Sequence, residues 1–139
     1  MKVELKLDKN MRIIGTNSLG KTTFFDTHTD SGGEDSAPTP MEIMLEAMGG
    51  CTFMDVLAIL RKKRKIINEL KISINGERAE SHPKVFTKVH LTFELTSPDA
   101  EEKDLARAVE LSQTTYCSAA AMFKRSGCEI SYDLILHQN

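Results

Sequence analysis

The chain has 139 residues, a length that fits one domain with its own hydrophobic core. Its formal net charge is −2, which argues against a nucleic-acid-binding protein, since that class needs a strongly basic surface. Lysine and glutamate interrupt the apolar residues of the N-terminal segment, so we expect no signal peptide there. We also expect no stretch that approaches the roughly 18 apolar residues of a membrane span. These features predict a cytoplasmic protein without membrane or nucleic-acid partners.

Three strands are predicted in the first part of the chain, residues 1–29. Apolar and charged residues alternate over residues 3–7, which is typical of a strand with one buried face. Two further strands are predicted over residues 12–16 and 22–27, each preceded by a turn. A polar loop over residues 30–39 follows, and its glycines favour a mobile or surface position.

The longest predicted helix covers residues 39–65 and carries the first cysteine. Thr39 is suited to cap it, Pro40 is suited to its first position, and the basic run 61–65 is suited to its last turn. Residues 41–60 are apolar almost all round the helix. Such a helix is expected in a core or an interface.

Two adjacent glycines, Gly49 and Gly50, lie inside this helix. Each costs about 1 kcal/mol relative to alanine in a helix interior, so some other interaction must offset them. They could allow close packing against another helix, or they could also clear space beside Cys51 for a substrate or a second thiol. The two explanations are compatible.

The second half of the chain is predicted as a hairpin over residues 70–96, two helices over 98–127 and a last strand over 128–137. No internal repeat is present. The fold class is therefore α+β, with antiparallel sheets, a long central helix and the element order βββ-α-ββ-α-α-β. We expect a single domain over residues 1–139.

Cys51 and Cys117 are the candidate reactive thiols. Cys117 directly precedes Ser118, which we expect to cap a short helix, and a helix N-terminus favours the thiolate. Cys51 lies in mid-helix, so it would need a nearby cation. Alternatively both are small buried hydrophobic residues, as we expect for Cys128. Three cysteines without a CxxC motif argue against a disulfide framework and a structural zinc site, so we expect no metal and no cofactor.

Other charged residues allow two interpretations. Asp55 lies one helical turn after Cys51, on the same face, and could be a structural carboxylate that has a partner or reaches water. Glu42 could interact only with the helix dipole, or it could orient a catalytic cation. Arg12 and Lys9 are expected to be solvated unless their loop folds back over Cys51.

The chain resembles the OsmC/Ohr family in an ordered set of motifs. The sequence PMEIMLEAMGGCT from Pro40 to Thr52, with Asp55 and the basic helix end, resembles the first-cysteine helix of that family. Residues 116–118 resemble its second-cysteine motif, and residues 15–26 resemble its N-terminal hairpin. The resemblance covers nearly the whole chain and is greatest with the small OsmC-like branch.

This resemblance implies an intertwined homodimer, with long central helices between two sheets and active sites at the subunit interface. It also implies an antioxidant peroxidase of the stress response, in which Cys51 is the peroxidatic thiolate and Cys117 the resolving thiol. The Cys51–Cys117 disulfide would then be reduced by an external dithiol. The alternative is a dimer of the same fold that senses redox state or binds an apolar ligand without catalysis.

The resemblance also implies a cation that activates the first cysteine. In the best-studied members this is an arginine from the first hairpin, held by a glutamate directly after the helix-opening proline. Here Met41 follows Pro40, and Glu42 comes one residue later, about 100° further round the helix. The arginine position falls nearest Lys9, with Arg12 close by. We expect Arg12 to activate Cys51, and we expect Glu42 to orient Arg12.

Overall fold

A computed structural model describes all 139 residues. The elements are strands β1 (Val3–Lys9), β2 (Arg12–Asn17) and β3 (Thr22–Phe25), helix α1 (Pro40–Lys62), strands β4 (Glu69–Arg78) and β5 (Phe86–Thr96), helices α2 (Glu102–Leu111) and α3 (Ser118–Arg125), and strand β6 (Glu129–His137). A short 3₁₀ turn follows β3, and a π-helical turn, Ser112–Tyr116, joins α2 to the residue before α3. The α+β class and the element order are confirmed.

The contacts within the chain group it into two compact units, residues Met1–Glu46 and Ala47–Asn139. The expectation of a single domain stays a prediction. In the first unit, β1, β2 and β3 form an antiparallel sheet in that order. The predicted buried face of β1 is wrong for the single chain, because Val3, Leu5 and Leu7 are 63%, 62% and 65% exposed.

The loop after β3 is held by the buried carboxylate of Asp26. This side chain accepts hydrogen bonds from Ser36 Oγ at 2.6 Å and from the backbone amides of Thr27, Glu34 and Ser36 at 2.8, 3.3 and 3.0 Å. The hydroxyl of Ser36, followed by these amides, lowers the pKa of Asp26 to about 2. The loop therefore lies on the surface of its unit with a defined conformation.

The second unit has its core on one face of β5. Alternate side chains of this strand are buried with side chains of the helices: Val89, Leu91, Phe93, Leu95, Met48, Val56, Leu60, Leu105, Ala108 and Val109. Strand β5 pairs with β4 in antiparallel fashion and with β6 in parallel. The expectation of purely antiparallel sheets is therefore wrong for the last strand. The segment with α2 and α3 brings the chain back to the end where β5 begins, as a parallel pair requires.

Helix α1 ends at Lys62, three residues before the predicted end, and Arg64 has a left-handed φ of 59°. Contrary to the sequence expectation, α1 is long and apolar enough to cross a membrane by length and composition, although core helices of soluble proteins share that property. Gly49 faces β4, since a Cβ atom on this residue would lie 2.5 Å from Ile74 Cδ1. The close packing that Gly49 allows is therefore against a strand and not a helix. A Cβ on Gly50 would meet nothing within 4 Å.

Candidate active site

Three side chains of the second unit converge on one another. The sulfurs of Cys51 and Cys117 and a carboxylate oxygen of Asp55 all lie within 4.8 Å of one another. Cys51 and Asp55 lie one turn apart on the same face of α1, whereas Cys117 lies between the π-helical turn and α3. Cys117 is buried, and the other two are half-buried. The fold thus brings together the two thiols that the sequence singled out.

Cys117 itself caps helix α3, a role that the sequence had suggested for Ser118. Its sulfur accepts a hydrogen bond from the amide of Ala120 at 3.3 Å. The pKa of Cys117 is raised to about 11, chiefly by burial; Cys51 and Asp55 also raise this pKa, and the Ala120 amide lowers it. The expected favouring of the thiolate by the helix N-terminus is therefore outweighed by desolvation and by neighbouring negative charge.

A chain of polar side chains lies next to the thiols. Gln113 Nε2 donates to Thr52 Oγ1 at 3.0 Å, and Ser112 Oγ donates to Asp55 Oδ2 at 2.9 Å. The hydroxyls of Thr52 and Ser112 are 2.7 Å apart. Because the single hydroxyl proton of Ser112 goes to Asp55, Thr52 must be the donor in that contact. All three donors along this chain, Gln113, Thr52 and Ser112, therefore point toward the carboxylate, and Asp55 has the hydrogen-bond partner that a carboxylate in an apolar stretch of helix needs.

The π-helical turn fixes the backbone position of Cys117. The amide of Cys117 donates to the carbonyl of Ser112 at 2.8 Å, and Lys124 Nζ of α3 donates to the carbonyl of Gln113 at 2.6 Å. Gln113 is buried, and its Oε1 has no hydrogen-bond partner. π-Helical turns occur often at functional sites. This turn places polar side chains and a thiol on consecutive residues beside α1.

An open cleft of about 510 Å³ borders the cluster, and Asp55 belongs to both. The rest of its lining combines apolar side chains of α1 and of the α2 end with two lysines: Ala58, Ile59, Leu111, Tyr116, Lys62 and Lys63. The space is large enough for a small organic molecule.

The sequence pattern of the family described as OsmC-like protein matches residues 33–133 of the chain. The chain belongs to the OsmC-like family. Protein YhfA of Escherichia coli K12 is 34% identical over 126 residues, which cover 91% of each chain. A hypothetical protein from Aquifex aeolicus VF5 has a solved structure with a TM-score of 0.81 and 34% identity, over 97% of this chain and 96% of that one.

A more distant member of the same structural group is the organic hydroperoxide resistance protein OhrB of Bacillus subtilis. Its TM-score is 0.60 at 14% identity, and the alignment covers 96% of both chains. At that identity the likeness establishes the OsmC-like fold and nothing further.

The cation expected from the family resemblance, Arg12, has other partners in the first unit. Its guanidinium pairs with Asp8 at 3.2 Å and donates to the carbonyl and Oγ of Ser36 at 3.2 and 3.0 Å. It also lies 4.6 Å from the ring centre of Phe24. Lys9 pairs weakly with Glu34 at 3.7 Å. Arg12 is therefore an ordered cation whose role toward Cys51 stays a prediction.

Glu42 takes part in a capping box at the start of α1. Its carboxylate accepts from Thr39 Oγ1 at 2.8 Å, and its amide donates to the same hydroxyl at 3.3 Å. The hydrogen bonds from Thr39 lower the pKa of Glu42. Glu42 and Arg12 do not bond to each other here, so the first-turn interpretation accounts for the contacts of Glu42, and its orienting role stays a prediction.

Cys128 is separate from the cluster. It directly precedes β6 and is 5% exposed, and its burial raises the pKa of the thiol. It has the environment of a small hydrophobic core residue. The roles of Thr52, Ser112 and Gln113 could not be predicted from the sequence around them.

Proposed function

We propose that this protein is a cytoplasmic thiol-dependent peroxidase that reduces organic hydroperoxides or hydrogen peroxide. The observation that carries the proposal is the approach of the Cys51 and Cys117 sulfurs to within 4.8 Å, from segments far apart in the sequence. The structural relatives of the chain include a protein named for organic hydroperoxide resistance. The apolar cleft next to Asp55 gives an organic peroxide a place to bind.

The exposures of the two thiols support their division of roles. The half-buried Cys51 is the one a substrate can reach, and its thiolate attacks the O–O bond. One peroxide oxygen is transferred to sulfur as a sulfenic acid, and the other leaves as an alcohol or water. The buried Cys117 then attacks the sulfenic sulfur, which releases water and forms the disulfide. An external dithiol reduces this bond and is itself oxidised.

Activation of Cys51 is the step for which Arg12 and Glu42 are proposed. We expect Arg12→Ala to slow the oxidation of Cys51 at least about tenfold, equivalent to some 1.4 kcal/mol of transition-state stabilisation. Glu42→Gln should slow it less, since it removes only the orienting partner. Stopped-flow oxidation of both variants and of Lys9→Ala tests this. Wild-type rates in Arg12→Ala and Lys9→Ala would refute this activation.

The exposed surface of α1 supports a homodimer. Only five of its 23 residues are buried within one chain, and Met54 remains 71% exposed on a largely apolar helix. A second copy would cover such a surface. Sedimentation at micromolar concentration should give twice the 15.5 kDa chain mass. Met54→Glu should shift the equilibrium toward monomer, whereas Met122→Glu, a similarly exposed methionine on α3, should not.

The central experiment is a peroxide titration followed by peptide mapping and a turnover assay. Stoichiometric peroxide should form the Cys51–Cys117 disulfide and leave Cys128 free. With a dithiol reductant the protein should turn over, and Cys51→Ser should abolish turnover while Cys128→Ser retains it. A bridge that contains Cys128, or full activity in Cys51→Ser, would reject the mechanism.

A second candidate function is the binding of an apolar ligand or redox sensing without catalysis. The cleft of about 510 Å³ favours it, because the cleft exists independently of thiol chemistry. Oxidation of the thiols without steady turnover, for any dithiol reductant supplied, would make this the better description.

A further inference from the structure

We infer that Cys51, Asp55 and Cys117 form a binding site for a zinc ion, with one coordination position left open. This inference goes beyond the peroxidase proposal and does not depend on it, because it requires only that three ligand atoms meet. It also predicts that the metal and the peroxide compete for the same sulfurs.

The distances suit a tetrahedral ion. Zinc binds sulfur at about 2.3 Å and carboxylate oxygen at about 2.0–2.2 Å, so two ligands of one ion lie roughly 3.5–3.8 Å apart. The three ligand atoms already lie within 4.8 Å of one another. The largest of these separations exceeds the tetrahedral spacing by about 1.3 Å at most.

The local structure holds these ligands in place. Cys51 and Asp55 occupy positions i and i+4 of α1, the spacing by which one helix face presents two ligands to the same ion. Ser112 donates to one oxygen of Asp55 at 2.9 Å, and the Ala120 amide donates to the Cys117 sulfur at 3.3 Å. Such outer hydrogen bonds orient metal ligands and are a regular part of metal sites.

The charges of the second unit favour a cation at this place. Asp55 forms no salt bridge with either lysine of the neighbouring cleft: Lys63 pairs with Asp104, and Lys62 has no carboxylate within 4.0 Å. Lys124 is bound to a backbone carbonyl. Once zinc has displaced the two thiol protons, two thiolates and a carboxylate place three negative charges within 4.8 Å of one another. The bound divalent ion offsets most of that repulsion.

The ligand chemistry selects zinc over calcium or magnesium. Thiolates bind zinc strongly, whereas calcium and magnesium require oxygen ligands. Three protein ligands with a fourth position open is the arrangement of zinc sites that remain accessible to small molecules. On binding, the two thiols lose their protons to solvent, two S–Zn bonds form, and no electron is transferred. A metal-bound Cys51 is then protected from peroxide.

The test uses the reduced, full-length chain without an affinity tag. Cobalt(II) replaces zinc as a spectroscopic probe, and zinc affinity is measured by competition with a chromophoric chelator. We expect one ion per chain, with thiolate-to-cobalt charge-transfer absorption and the intense visible bands of a tetrahedral site. Cys51→Ser and Cys117→Ser should each weaken binding and reduce that absorption, and Cys128→Ser is the matched control that should leave both unchanged. Asp55→Asn should weaken zinc binding at least about tenfold, since even outer-shell changes cost about 10–100-fold.

A second measurement on the wild-type chain guards against misfolded variants. Zinc at saturating concentration should slow peroxide oxidation of Cys51 at least about tenfold, and a chelator should restore the rate. The inference would be overturned if the thiolate-to-cobalt absorption were absent. It would also be overturned if that absorption persisted in Cys51→Ser and disappeared in Cys128→Ser. Oxidation of the zinc-loaded chain at the metal-free rate would overturn it as well. If the metal-free chain does not react with peroxide, the peroxidase proposal fails, and the spectroscopic titration still decides the metal site.

Discussion

The hydroxyl of Ser112 donates a hydrogen bond of 2.9 Å to the carboxylate of Asp55 and lies 2.7 Å from the hydroxyl of Thr52. One serine of the π-helical turn thus connects α1, which carries Cys51, to the segment that leads to Cys117. This contact therefore helps to hold the two thiol-bearing segments beside each other.

Replacement of Ser112 by alanine should destabilise the protein by about 1–3 kcal/mol, because it leaves the buried hydroxyl proton of Thr52 without an acceptor and the half-buried carboxylate of Asp55 without its donor. The matched control is Ser118→Ala. Ser118 is exposed, and Cys117 provides the cap of α3. Loss of the Ser118 hydroxyl should therefore change the free energy of unfolding by less than about 0.5 kcal/mol. Urea denaturation measures both. Equal losses of stability in the two variants would contradict a stabilising role of the polar chain.

The low pKa of Asp26, about 2, predicts a pH dependence of stability. The unfolded carboxylate titrates near 3.9. Its contribution is therefore fully present above about pH 4 and is lost as the pH falls from there toward 2, because the unfolded chain takes up the proton first. Asp26→Asn should be less stable than wild type at pH 7, and the difference should shrink on acidification.

Asp30 supplies the control for that experiment. It is an exposed carboxylate in the same loop region, so Asp30→Asn should follow the wild-type profile. Chemical denaturation at pH values between 7 and 3 compares the three proteins. A stability difference between wild type and Asp26→Asn that does not change with pH would contradict the assignment.

A double-mutant cycle tests the ion pair between Lys63 and the buried carboxylate of Asp104, whose nitrogen and oxygen are 2.9 Å apart. The Asp104 carboxylate is 7% exposed and also accepts from the amide of Glu101, so the coupling energy should be about 1–2 kcal/mol. The surface pair Arg107–Glu110 has the same separation, but both side chains are 55% exposed. Its coupling should stay below about 0.5 kcal/mol. Similar values for the two pairs would show that burial does not matter here.

The thiols should differ in their rates of alkylation. Cys128 is buried, and burial raises its pKa, whereas Cys51 is half-buried. Iodoacetamide at pH 8 should therefore label Cys51 well before Cys128, since the thiolate is the reactive form. Mass spectrometry of peptides sampled over time gives the order. In strong denaturant the three cysteines should react at similar rates, and equal rates in the native protein would contradict the burial argument.

Local sequence patterns predicted most of the element order, because the alternation in β5 and the caps and glycines at element ends depend on nearby residues. They could not predict the direction of β6, which is set by the crossover that precedes it. The alternation in β1 indicated a buried face that a single chain does not bury. This apolar face of β1 can be explained only when the surface that covers it is known. The alternation in the sequence does not identify that surface.

The two thiols of the candidate site were predicted from the sequence, but the polar side chains around them were not. Cys51 and Cys117 were identified by their motifs, but Ser112 and Gln113 are ordinary polar residues at the end of an amphipathic helix. The available signal was the presence of Thr52 and Asp55 in an otherwise apolar stretch, since buried polar groups need partners. That signal predicts that partners exist, and only tertiary structure shows which residues they are.

The parallel pairing of β6 with β5 also bears on when the site can form as the chain folds. The two strands are separated in sequence by the segment with α2 and α3, so the second sheet is complete only after this crossover has been made. Pairing over a long sequence separation forms slowly. Cys117 lies within the same crossover, so until it is in place the thiols are not protected by the fold, and a reducing environment would keep them unmodified.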